Sequence, residues 1–348
     1  MATTTVMRSA HRDRAMTLDS HEGVVLQGTG GVWQVRADDE TTHAVSLRGR
    51  LKHESGRDGR NDAERESMRR VAARDDTDRP LKLAVGDRVT ISGGVDPSAW
   101  AIDLIHPRTS KLARRAPGGA RGERVVVANL DQVLVVFAAA KPEPHPRMLD
   151  RFLVIAEANG LAARIVINKC ELVPEREIRA RFAEHTNAGY PLHLTSVVQG
   201  DGLEALRDEV GGRSSALSGP SGVGKSSLMN RLFPGLDLRT AEISESVNKG
   251  RHTTVGAVLH PLPGGGFVAD TPGLREVGLW GIDAHDIAHC FPELRPLVGH
   301  CRFADCKHLV EPACAIRDAV QAGTVSRGRY DSFLKLREEI SDGSQDNW

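Results

Sequence analysis

The 348-residue chain lacks several features that place proteins quickly. It has no long hydrophobic run: VLVVFAAA, at 133–140, is too short to span a bilayer, so no membrane partner is expected. Its opening stretch, MATTTVMRSAHRDRAM, has no apolar segment of the kind that directs secretion. Cysteine is scarce. There are five, an odd count, and three crowd with a histidine into one stretch, which favours a reducing compartment and a metal site over a disulfide framework. The expected location is the cytoplasm. Net charge is also missing, with 46 Lys+Arg against 46 Asp+Glu, which at first sight argues against a nucleic-acid partner. At 40% hydrophobic and 26% charged, the composition is that of a soluble globular protein long enough for two or three domains.

The zero is an average over unlike parts. Residues 105–124 carry Arg108, Lys111, Arg114, Arg115, Arg121 and Arg124 against one acid, Glu123, a local charge of +5. Residues 125–290 sum to −3, and so does the end, 331–348. Neutrality overall therefore leaves an RNA partner open and directs attention to one basic segment.

Hydrophobic patterning divides the chain. Residues 1–20 are polar and expected to be disordered. From His21 to residue 108, short alternating segments (GVVLQ, GVWQVRA, THAVSLRG, DRVTISG, AWAIDLI) predict a small β-barrel or sandwich. Residues 48–80 hold ten basic and eight acidic residues and few large apolar ones, so 52–80 is expected as an exposed insertion. A basic linker follows over 109–123. Over 124–289 strands alternate with helices of 8–14 residues, the pattern of a parallel α/β sheet with helices on both faces. A cysteine-bearing segment, 290–340, and a tail, 341–348, complete the chain.

The strongest motif is GPSGVGKS, G-x-x-x-x-G-K-S between a strand and a helix. Phosphate oxygens need crowded backbone N–H groups and the positive end of a helix dipole, which is what this junction supplies. Gly219, Pro220, Ser221, Gly222, Val223 and Gly224 form the loop. Lys225 is expected on the β/γ-phosphates, as a binding and catalytic group, Ser226 on Mg²⁺, and Ser227 beside it. ADTPG (269–273) follows an apolar strand about 45 residues later and suits a switch, with Asp270 toward Mg²⁺ and the Gly273 N–H toward the γ-phosphate. GRHTTV (250–255) offers either Thr253 or Thr254 to Mg²⁺, with Thr254 preferred.

Guanine is commonly read by N-K-x-D at a strand end, where the carboxylate accepts two hydrogen bonds from the base. Here NKCE, with Asn168, Lys169 and Glu171, ends a strand but precedes the phosphate loop, and Thr195 and Ser196 end the next strand. Circular permutation is the simplest account of this order. Hydrolysis also needs a group to orient water, commonly a Gln after D-x-x-G. That place holds Leu274, so slow intrinsic turnover is expected, and His252 is the candidate catalytic residue. Finally, Cys301, Cys306, His308 and Cys314 form C-x4-C-x-H-x5-C, four ligands for one structural zinc. Cys170 and Cys290 are expected as packed residues, and His300 as a bystander.

This order of parts resembles the circularly permuted ribosome small subunit-dependent GTPase A family (RsgA, also YjeQ). The resemblance rests on RGRLK, VGDRV, PRTSKLARRAPG, VVANLDQVLVV, LDRFLV, GPSGVGKSSLMN, GRHTT, DTPG and the cysteine cluster, from about His21 to Phe333. It implies a multidomain protein: an N-terminal OB-fold barrel, a permuted P-loop GTPase domain and a C-terminal zinc-binding helical domain. It further implies GTP hydrolysis during late maturation of the small ribosomal subunit, with that subunit and its rRNA as partners, and supports a catalytic role for His252. The family usually has Asp where this chain has Glu171, which puts the strength of guanine preference in question. A monomer is expected, bound in the GTP state and released after hydrolysis. The rival readings are a zinc-containing P-loop ATPase or kinase acting on a small molecule, and a nucleic-acid-binding module with a vestigial nucleotide site. With only Trp33 and Trp100 as barrel aromatics before residue 108, arginine–phosphate contact through 108–124 is the expected mode of RNA binding.

Overall fold

The computed structural model describes residues 19–48, 82–93, 100–115, 123–236, 238, 257–270, 279 and 281–342. The insertion expected at 52–80 lies outside these residues, as do 1–18 and 343–348. Five short strands, β1 (Asp19–Thr29), β2 (Val32–Ala37), β3 (Thr42–Leu47), β4 (Arg88–Gly93) and β5 (Ala101–Ile105), close into a barrel in the order β1–β2–β3–β5–β4. Alternation explains the closure: Val25, Val35, Val45, Val89, Ile91 and Ile102 all point to one shared interior and are essentially inaccessible.

The segment expected as a linker over 109–123 instead contains a strand. β6 (Lys111–Arg115) pairs antiparallel with β7 (Glu123–Ala128), so RVVVAN forms half of a separate hairpin and not a strand of the large sheet. The physical reason is local. Leu112 and Val127 stand opposite one another with no exposed surface, and both join the core of the following domain. Arg108 ties the barrel to this hairpin's root, donating from Nε and a terminal nitrogen to buried Asp87 at 2.6 and 2.8 Å.

The remaining elements are β8 (Gln132–Ala138), α1 (Pro146–Ala158), β9 (Ala162–Asn168), α2 (Glu175–Arg181), α3 (Ala183–Asn187), β10 (Leu192–Leu194), α4 (Leu203–Val210), β11 (Ser214–Ser218), α5 (Lys225–Leu232), β12 (Val258–Pro261) and β13 (Phe267–Asp270). The segment PEREIRARFAEHT is broken at Phe182 into α2 and α3. The sheet order is β10–β9–β8–β11–β13–β12, parallel except for edge strand β12. β8 is apolar at nearly every position because both of its faces are covered. Val133, Val135 and Phe137 pack with Leu149, Phe152 and Leu153 of α1, whereas Leu134, Val136 and Ala138 pack with Leu206 of α4 and Leu228 and Met229 of α5.

After the sheet come α6 (Ala315–Gln321) and α7 (Arg327–Asp342). Their apolar residues do not form a separate core. Phe291, Ile316, Tyr330 and Phe333 belong to the same cluster as Leu149 and Phe152. A buried charge fastens the contact. Arg329, 1% exposed, lies over the Phe291 ring at 4.7 Å, donates to Glu293 at 2.6 Å and pairs with buried Asp150 of α1. His185 of α3 shares Asp150 Oδ1 at 2.9 Å. Burial alone would raise the Asp150 carboxyl, but the His185 hydrogen bond and the Arg329 guanidinium outweigh it and hold it below the usual range. Removing one member of such a network strands the others in a dry environment. Arg329→Ala is therefore expected to lower stability by about 3–5 kcal/mol, read as a shifted urea midpoint.

Candidate active site and metal centre

Three strand ends meet at the carboxyl edge of the sheet. β11 runs into the glycine-rich loop at 219–224, and α5 begins at Lys225. Val223 is fully buried and roots the loop in the core shared with α4 and α5. Lys225 Nζ donates to the carbonyls of Gly219 and Pro220 at 2.9 and 2.7 Å, so its ammonium belongs to the loop. Ser221, Gly222 and Ser227 are exposed, and Ser226 is half-buried.

NKCE sits against this loop although it comes about 50 residues earlier. Asn168, at the end of β9, is buried and donates from Nδ2 to the Val223 carbonyl at 2.9 Å. Lys169 adopts a left-handed backbone (φ 59°) and donates from Nζ to the carbonyls of Gly222 and Lys141 at 2.7 and 2.5 Å. Gly224 has to be glycine twice over. Its φ is +91°, and a Cβ there would stand 2.6 Å from Asn168 Nδ2. β10 continues into Thr195 and Ser196, both fully buried; the Thr195 carbonyl accepts the Cys170 N–H at 3.1 Å, and Ser196 Oγ accepts the Gln199 N–H at 3.0 Å. Glu171 Oε2 is buried with no hydrogen-bond partner among the described residues, an orphaned acceptor suited to a ligand carrying paired N–H groups.

Asp270 ends β13, the neighbour of β11, which puts its backbone beside the strand that feeds the phosphate loop. Gly273, Leu274, His252, Thr253 and Thr254 lie outside the described residues.

The second centre is built on the loop before α6. Ligand atoms of Cys301, Cys306, His308 and Cys314 all lie within 4.8 Å of one another, and His308 Nδ1 stands 3.4 Å from both Cys301 Sγ and Cys314 Sγ. His300 is not a member. Burial, reinforced by the neighbouring thiols, pushes Cys306 up to about 12, and burial raises Cys314 as well. Thiols so close resist ionising together, and one divalent cation is what lets them serve jointly as thiolate ligands. Burial pulls the His308 imidazole below its ordinary range and so keeps it in the neutral, ligating form. Two residues with no motif of their own hold this loop. Tyr330 of α7 donates its hydroxyl to the His308 carbonyl at 2.6 Å. Burial would raise the Glu311 carboxyl, but backbone N–H groups, including those of Lys307, Leu309 and Val310, hold it at about 2. Cys290 is buried in the core and its thiol is pushed to about 11 by burial; Cys170 is half-buried and also raised.

Comparison with known proteins agrees with this geometry. The family model described as RsgA GTPase matches residues 105–280. The chain is 66% identical to the small ribosomal subunit biogenesis GTPase RsgA of Gemmatimonas aurantiaca, over 92% of this chain and 98% of that protein. It is 34% identical to the protein of the same name from Bacteroides fragilis, again over 92% and 98%. Among solved structures, YjeQ from Thermotoga maritima superposes with a TM-score of 0.72 at 30% identity, covering 92% of this chain and 99% of that one. YloQ, a circularly permuted GTPase, gives 0.67 at 26%, covering 97% and 100%.

Two outcomes follow from the two centres. Glu171→Ala should weaken GDP binding by about 10- to 100-fold in calorimetry, the loss of a charge-assisted pair of hydrogen bonds. Chelation should remove one equivalent of metal and lower the thermal midpoint by roughly 5–10 °C, because the liganded loop is joined through Tyr330 to the shared core.

Proposed function

The chain belongs to the RsgA GTPase family, whose fold is the circularly permuted GTPase, and we propose that it hydrolyses GTP to assist late maturation of the small ribosomal subunit. On this reading it binds the subunit and its rRNA as a cytoplasmic monomer in the GTP state, is stimulated by the subunit, and leaves after hydrolysis. The observation that carries the proposal is the seating of Asn168 and Lys169 on the carbonyls of Val223 and Gly222. A base-reading motif and a phosphate loop in direct contact make one nucleotide site, whatever their order in the chain.

Within that site Glu171 would accept the two N–H groups on guanine's edge, and its orphaned Oε2 supports that role. Asn168, Lys169, Thr195 and Ser196 frame the base. The amides from Gly219 to Gly224, with Lys225, Ser226 and Ser227, take the phosphates at the N-terminus of α5. Ser226 and Thr254 would hold Mg²⁺, with Asp270 reaching it through water; the ion supplies neutralising charge at the β- and γ-phosphates. Gly273 would sense the γ-phosphate. Leu274 cannot hydrogen-bond to water, so His252 is assigned to orient the attacking water. We assign zinc to Cys301, Cys306, His308 and Cys314, because three thiolates and an imidazole in a closed set suit that ion and leave it a structural role.

The domain assignment follows the same reading. Residues 21–108 form an OB-fold carrying the 52–80 insertion, 109–123 join it to the permuted GTPase domain at 124–289, and 290–340 form the zinc-binding helical module before the tail at 341–348. The five-stranded closure order of the barrel supports the OB-fold assignment. An ATPase or kinase acting on a small molecule would have no use for NKCE in this position, and a vestigial site would not keep Lys225 and Ser226 beside it.

The test is turnover of GTP and of ATP with and without purified small subunits. GTP should be hydrolysed slowly alone and at least tenfold faster with subunits, and ATP should not be hydrolysed at a comparable rate. His252→Ala should abolish the stimulated rate while leaving nucleotide affinity within about twofold. ATP binding within about threefold of GTP would refute the substrate assignment.

A further inference from the structure

The barrel meets the rest of the chain at two seats of different character. One is the β6–β7 hairpin and its exit, reached through hydrogen bonds and an ion pair. The Ala128 N–H donates to the Val85 carbonyl at 2.8 Å, Asn129 Nδ2 donates to the Gly86 carbonyl at 2.9 Å, and Arg108 pairs with Asp87. The other seat is β1, which lies beside β12, the antiparallel edge strand of the large sheet.

The sequence of β1 suits that second seat. Val25 belongs to the barrel interior and is fully buried, whereas its neighbours Val24 and Leu26 are half-buried. A barrel strand turned to water would favour polar side chains at such positions. Instead both pack against the core cluster of the nucleotide domain, to which β12 contributes Leu259 and the residue leading into it, Ala257. Leu26 is also the extra residue of a bulge: Val25 stands opposite Val35 and Gln27 opposite Gln34, which leaves Leu26 unpaired on β2. Bulges re-aim side chains and recur beside functional elements.

A contact on β12 stands close to the phosphate end of the nucleotide site. β12 and β13 form one antiparallel pair, with Val258 opposite Asp270 at one end and Pro261 opposite Phe267 at the other. In the chain, GRHTTV (250–255) ends three residues before Val258, and TPG follows Asp270 directly. Both candidate switch segments are therefore attached at the same end of one two-strand unit. As an edge strand, β12 is held to the sheet by β13 alone.

We propose that the packing of Val24 and Leu26 beside β12 transmits the subunit's stimulation of GTP hydrolysis. A subunit engaged by the barrel biases β12, and β12 biases the switch segments at its end. The inference rests on the proposed function for the stimulation itself. It gives the two residues a positioning role, exerted through β12. By linkage, the same contact sets the difference in subunit affinity between the GTP and GDP states.

The test uses the full-length protein. In Leu26→Ala, subunit-stimulated turnover should fall about tenfold, while subunit-free turnover and GDP affinity stay within about twofold. The ratio of subunit affinities between the non-hydrolysable-GTP and GDP states should fall toward one. Val24→Ala should act in the same direction, and the volume-conserving Leu26→Met should keep wild-type stimulation. Wild-type stimulation in the Val24→Ala/Leu26→Ala double variant would overturn the inference. So would an equal loss of subunit affinity in both nucleotide states, which would make the contact a structural seat only. Hydrogen exchange on the unaltered protein decides the matter if the variants melt early. Replacing GDP by non-hydrolysable GTP should change amide protection in 19–29 and 257–261 by at least about threefold and leave β3 and β5 unchanged. Unchanged protection in 19–29 would overturn the inference. Wild-type protein that subunits do not stimulate would overturn the proposed function, and the inference with it; a stimulated wild type with an equally stimulated double variant would overturn the inference alone.

Discussion

Asn168 Nδ2 donates to the Val223 carbonyl at 2.9 Å and Lys169 Nζ to that of Gly222 at 2.7 Å, joining motifs 55 and 53 residues apart in the chain. The rest of the candidate site is arranged around this interlock. It sets the height of the glycine-rich loop over β9, and it forbids a side chain at Gly224. Asn168 is buried, so the loss of its amide would leave the Val223 carbonyl unsatisfied in a region water does not reach. A parallel sheet is indifferent to the order in which its strands are written, provided their carboxyl ends remain neighbours. With β9, β8 and β11 adjacent, the two half-sites meet.

The same economy of contacts fastens the metal centre. Its loop is too short to bury a core and leans on α7 through the Tyr330 hydroxyl. One residue earlier on that helix, Arg329 reaches Asp150 and Glu293 in the interior. Asp150 lies on α1, which packs on β8, the neighbour of the strand ending in Asn168. The metal loop and the nucleotide sheet are therefore parts of one packed body.

Much of this was legible before any coordinates. GPSGVGKS, NKCE and the C-x4-C-x-H-x5-C spacing are local patterns, and each is dictated by a chemistry that tolerates few alternatives at fixed spacing. Alternation of Val35 and Ile91 with polar neighbours likewise announced barrel strands. The reading of 109–123 as a linker missed the strand Lys111–Arg115 because the segment's apolar anchors are few. Leu112 and Ala113 are diluted by four cations, and Val127 finds Leu112 only once the chain has turned back. The aromatic count in the barrel was also incomplete. His21 and His43 join Trp100 in a ring cluster with centroids 4.1–5.8 Å apart, assembled from three different strand regions.

The amino-acid sequence alone carried the local patterns: the G-x-x-x-x-G-K-S loop, NKCE, the Cys3His spacing and a chain order that permutation explains. These rest on backbone geometry and coordination, which act over a few residues. Tertiary structure alone decided which groups are partners. It put Lys169 on Gly222, left a buried Glu171 oxygen without a partner among the described residues, closed Arg329 onto Asp150, and set Arg114 opposite Arg124. Those pairings join residues far apart in the chain or across a turn, and their strength comes from burial and strand register, which exist only after the chain has folded.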